Sequence, residues 1–114
     1  MKNVFSLLQE VRVRPGMLIG YDNQHREKQL RELESMLIGY GLALEIHEIA
    51  EPGREFVGQF AQYVSGRLGV GGALGPVAAI LEATEDGDSA WERFWELVDD
   101  YERHLQHADA PTNG

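Results

Sequence analysis

Apolar residues recur at helical spacing through most of this chain. Val4, Leu7, Leu8 and Val11 fall at i, i+3, i+4 and i+7, which predicts a helix over residues 4–13 with Asn3 as its N-cap. Arg14-Pro15-Gly16 ends it, because the residue before a proline is pushed out of helical geometry. A second helix is expected over residues 24–50. Its stripe is Leu30, Leu33, Leu37, Tyr40, Leu44 and His47, flanked by Met36, Ala43 and Ile46. Gly39 and Gly41 inside it mark a kink or a close approach by another element. Glu51-Pro52-Gly53 is a stop, and a third helix follows over residues 54–68 with Phe56, Phe60, Tyr63, Val64 and Arg67 on one face.

After a glycine-rich connection, Pro76 suits the first position of a short helix over residues 76–84. Glu85 to Asp88 form a turn, from which Asp88 or Ser89 caps a helix reaching about residue 104. Trp91, Phe94, Trp95, Val98, Tyr101 and Leu105 make its apolar stripe, opposite Glu92, Arg93, Glu96, Asp99, Asp100, Glu102 and Arg103. No stretch alternates strictly, so the expected fold is all-α, a compact bundle of four or five helices. Residues 1–107 form one domain and 108–114 a flexible tail. Residues 17–23 read as an extended or irregular connection, and residues 12–21 are the one place where short strands fit the pattern.

A length of 114 residues suits a single domain able to bury a core without staples. Cysteine is absent, which removes disulfides, thiol nucleophiles and cysteine zinc sites and suits a reducing cytoplasm. No signal peptide pattern is visible, and no apolar run nears the roughly 18 residues that suggest a membrane span.

Charge changes the picture more. The net charge is -9: residues 1–31 hold six basic and three acidic side chains, residues 32–114 four basic and sixteen acidic. That balance argues against nucleic acid, whose phosphates need clustered lysine and arginine. Between Glu85 and Glu102 stand eight acidic residues and one basic. One reading is a solvated face that keeps the protein soluble. The other is a docking surface for a basic protein, with Glu92, Glu96, Asp99 and Asp100 as the contacting residues.

Catalytic and cofactor patterns fail on context. Gly69 to Gly75 reads G-x-G-x-x-x-G, but a helix precedes it where a dinucleotide fingerprint requires a strand. His47-Glu48-Ile49-Ala50-Glu51 lacks the second histidine of a metalloprotease helix, and His104 with His107 supplies only two ligands. None of the four serines sits in a nucleophile motif. The expectation is therefore a non-enzymatic protein without metal or cofactor.

The segment Arg14-Pro15-Gly16-Met17-Leu18-Ile19-Gly20 resembles the R-P-G-M-Y-I-G stretch of the DNA gyrase B ATPase domain. The E-x-x-x-N and D-x-G-x-G motifs of that family are missing: Glu32 is followed four residues later by Met36, and Glu34 by Ile38. The same segment, with Gly39-Tyr40 and the run from Ser89 to Asp100, is similar to a class of small bacterial proteins of this length, some of which look like immunity proteins of toxin systems. That resemblance implies a protein that neutralises a cognate toxin, which the acidic last helix would make a basic one, and it assigns no residue roles. The alternatives are a self-associating adaptor that uses Gly39 and Gly41 for close helix approach, and a small enzyme with an unrecognised site. Physically, Arg14 to Gly20 reads as a rigid corner whose Met17, Leu18 and Ile19 enter the core, with Arg14 paired to an acid on a neighbouring helix.

Overall fold

The computed structural model describes residues 3–109, and among these it contains helices and no strand. The elements are α1 (Val4–Val13), α2 (Pro15–Leu18), α3 (Arg26–Ile46), a 3-10 turn (Pro52–Glu55), α4 (Phe56–Leu68), α5 (Pro76–Ala83) and α6 (Gly87–Asp109). The all-α expectation holds: five helices of eight or more residues pack into one domain, with the four-residue α2 added.

Local chemistry explains most boundaries. Asn3 and Ser6 form a reciprocal cap on α1, with Phe5 N–H donating to the Asn3 side chain at 2.9 Å. Gly69 closes α4 in the left-handed conformation. α5 begins at Pro76, as expected. α6 is capped two to three residues earlier than the sequence indicates: the Asp86 carboxylate, rather than Asp88 or Ser89, accepts the Ser89 N–H at 2.7 Å. That bond holds the Asp86 carboxyl below the usual carboxylate range. α6 also runs on through Ala108 and Asp109, so the expected tail overlaps its last turn, and residues 110–114 lie outside the described residues.

The core is a row of aromatic rings from three helices. Phe5 meets Phe56 edge-on at 5.9 Å between ring centres, Phe56 stacks on Phe60 at 5.1 Å, and Phe60 meets Phe94 edge-on at 5.8 Å. Tyr101 lies against Phe56 and Phe60 at 5.8 and 5.3 Å. Offset and edge-on pairs are worth about 0.5–1.5 kcal/mol beyond the area they bury. Leu8, Val11, Leu30, Leu33, Val64, Val77, Ile80 and Leu97 fill the remaining space, all buried. Leu97 falls outside the stripe read from the sequence, because α3, α4 and α5 together cover more of α6 than one narrow seam.

The corner at Arg14 differs from expectation. It is a helical turn rather than an extended or stranded connection, and only Ile19 enters the core, at 3% exposure, while Met17 stands out at 77%. In a helical turn, neighbouring side chains diverge by about 100°, so three consecutive residues cannot all face inward. Arg14 pairs with Glu10 of its own helix, not with a neighbour. Buried Gln29 pins the following connection: its amide donates to the Tyr21 carbonyl at 2.7 Å and its oxygen accepts from Arg26 at 2.9 Å.

The two glycines of α3 separate. Gly41 faces the 3-10 turn so closely that a β-carbon would sit 2.8 Å from the Gly53 carbonyl oxygen, whereas Gly39 opens to solvent. The close approach expected of one of them is thus an internal one, at Gly41. His47 is exposed and ends the helix rather than joining its buried stripe.

Candidate functional site on the last helix

α6 presents its apolar stripe inward because Ala90, Trp91, Phe94, Trp95, Leu97, Val98 and Tyr101 are all buried against α3, α4 and α5. At one edge of that stripe lies an open groove of about 450 Å³, lined by Arg12, Trp91, Glu92, Trp95 and Glu96. Trp91 and Trp95 meet edge-on at 5.5 Å and form its apolar part, and Glu92 and Glu96, one helical turn apart, are its exposed acids. Two arginines already rest on these rings. The Arg12 guanidinium lies 5.4 Å from the centre of Trp95, and that of Arg26 lies 4.2 Å from the centre of Trp91. Each such contact is worth about 0.5–1 kcal/mol at an exposed site.

The four predicted contact residues do not share one environment. Glu92 makes no ion pair among the described residues. Glu96 accepts from Arg93 of its own helix at 3.0 Å. Asp99 receives Arg12 of α1 through both carboxylate oxygens, at 3.0 and 3.1 Å. Asp100 lies half-buried about 100° further round the helix from Asp99, held by Arg67 of α4 at 3.4 Å and by Arg103. The guanidinium of Arg67 is itself held more firmly protonated, first by the Tyr63 hydroxyl and then by Asp100. Glu92, Glu96 and Asp99 therefore lie on one face, while Asp100 sits at the junction with α4.

Sequence reading found the acids and the tryptophans separately and placed Arg67 on the α4 face, but did not foresee that Arg12 and Arg67 pair with acids of α6. Both arginines are distant in sequence and reach α6 only through packing. The one signal available was the excess of basic residues near the start of the chain, which places Arg12 among acids once α1 lies beside α6. The indole N–H of Trp95 is buried without an acceptor among the described residues. An orphaned donor of this kind costs about 1–3 kcal/mol.

The other expected chemistry maps elsewhere. The glycine-rich connection joins α4 to α5, and its last residue, Gly75, holds a positive φ of 97° where a β-carbon would sit 2.9 Å from the Glu34 carboxylate. Among the described residues no three histidine, aspartate or glutamate side chains form a metal-holding group, and no helix is long and apolar enough to cross a membrane. The chain matches no family model, no curated protein and no solved structure.

Proposed function

We propose that this chain is a non-enzymatic protein-binding domain whose α6 groove receives a basic segment of another protein, in the manner of an immunity protein masking its toxin. The observation that carries this reading is Arg12. Its guanidinium lies over the Trp95 indole and is clasped by the Asp99 carboxylate of α6, an internal contact of the kind a basic partner would make. Glu92 and Glu96 extend the same arrangement one turn along the helix. An incoming lysine or arginine finds there the exposed carboxylates of Glu92 and Glu96 for its head. The acidic surface also steers a basic partner toward the groove.

The two tryptophans of the chain both line this groove, so intrinsic fluorescence reports its occupancy. The test is affinity capture from cells that natively express the chain, with wild type beside Glu92→Lys/Glu96→Lys. A stoichiometric basic partner is expected, released by salt, lost by at least tenfold in the double variant, and shifting the tryptophan emission when titrated back. Capture undiminished in the double variant removes the groove from the function.

A further inference from the structure

The two arginines that lie over the tryptophans of α6 are held very differently. Arg26, over Trp91, is built into the fold. Its guanidinium donates to the Asn23 side chain at 3.0 Å and to the buried Gln29 at 2.9 Å, and it does not line the groove. Arg12, over Trp95, does line the groove, and among the described residues its side chain is bonded to the Asp99 carboxylate alone. The two side chains of that pair are 37% and 41% exposed. A pair so open to water holds weakly. The arginine stem turns about several single bonds, so Arg12 can leave its place without any movement of the α1 backbone.

A cation thus stands where the groove would receive one. While Arg12 stays, it repels a basic side chain approaching Glu92 or Glu96. Once it leaves, the newcomer gains the Asp99 carboxylate and the face of Trp95. The vacated seat has a shape as well as a charge. One terminal nitrogen of Arg12 reaches both Asp99 oxygens, at 3.0 and 3.1 Å, while its guanidinium lies over the indole. A planar guanidinium makes both contacts at once. An ammonium is a compact point charge and must choose between them.

We infer that the groove takes an arginine of the partner in exchange for Arg12, and that Arg12 is an internal competitor which holds the free protein closed to weaker cations. The inference rests on the groove reading above. It adds which basic side chain is taken and which residue must move.

Titration of the whole protein with hexa-arginine amide and with hexa-lysine amide at one fixed ionic strength, followed by tryptophan emission, tests it. Arg12→Ala is expected to bind the arginine peptide about fivefold more tightly than wild type, and the lysine peptide less than about twofold more tightly. Arg12→Lys keeps the charge and gives up the planar group, and should show part of the same gain. Adding Asp99→Asn to Arg12→Ala should cancel it. Arg14→Ala removes the same charge two residues on, outside the groove, and should move neither peptide. Equal tightening of both peptides in Arg12→Ala overturns the exchange, because charge alone then explains it. So does an equal gain in Arg14→Ala, or an Arg12→Ala protein that does not bind the arginine peptide. Glu92→Lys/Glu96→Lys separates this inference from the one beneath it. Binding that this variant loses and Arg12→Ala leaves unimproved overturns the exchange and keeps the groove. Binding that it does not diminish removes the groove and the exchange with it.

Discussion

At Tyr40 the ring of α3 lies against Glu51 and the backbone of Gly53, where a β-carbon on Gly53 would collide with it. Burial first, and then the Glu51 carboxylate, push its hydroxyl up to about 12 from 10.0. Burial pushes Tyr101 in the same direction. The fold thus favours the neutral phenol, while the unfolded chain ionises near the ordinary value. The stability this contributes is whole below pH 10 and is lost as pH rises from 10 toward about 12. Urea midpoints should accordingly hold steady from neutral pH to pH 10 and fall above it, and Tyr40→Phe should make that alkaline fall shallower. An equally steep fall in Tyr40→Phe would assign the loss to other groups. Single residues of this kind were half legible. Tyr40 was placed on the α3 stripe from spacing alone, but its partner Glu51 was read as part of a stop signal and of an incomplete metal motif, not as a neighbour of Tyr40.

Between elements, two carboxylates fasten helices that are remote in sequence. Glu34 of α3 accepts the Val77 N–H at 3.0 Å, in the first turn of α5, and Glu51 accepts the Val4 N–H at 3.0 Å, in the first turn of α1. α5 has eight residues, begins with Pro76 and carries no side-chain cap of its own, so its exposed amide dipoles rely on Glu34. Glu34→Ala is expected to cost about 1 kcal/mol, the usual value of a helix cap. Hydrogen exchange should then speed up by about fivefold in the α5 amides, and much less in α1 and α6. Equal acceleration in all helices would mean that Glu34 supports the whole fold rather than α5. Helix ends closed by neighbouring residues, such as Asn3 on α1, were legible because the cap lies within a few residues of the helix. Caps supplied from another helix were not, since nothing near Glu34 in sequence announces α5.

Across the molecule, the aromatic row from Phe5 through Phe56 and Phe60 to Phe94 ties α1, α4 and α6 into one core, and α3 and α5 pack on the same cluster. No helix here has an apolar face large enough to persist without the others, which favours all-or-none unfolding. Denaturation followed by far-UV circular dichroism, which reads all the helices, and by tryptophan emission, which reads α6, should therefore give coincident curves. Earlier loss of the tryptophan signal would show α6 detaching as a separate unit.

The sequence by itself determined that this chain is helical, roughly where each helix lies, and which side of α6 is buried. These follow from interactions within a few residues: apolar spacing, prolines at first turns, an asparagine cap. It also located the acids Glu92, Glu96, Asp99 and Asp100. Only the tertiary structure decided what those acids do. It set Asp99 against Arg12, drew Asp100 into the α4 junction and left Glu92 and Glu96 along the tryptophan groove. The buried side of α3 was legible too: Leu30, Leu33, Leu37 and Leu44 of its predicted stripe are core. That His47, read on the same stripe, stays outside it was decided only by the tertiary structure, because α3 ends at Ile46 and the chain turns away there toward the 3-10 turn.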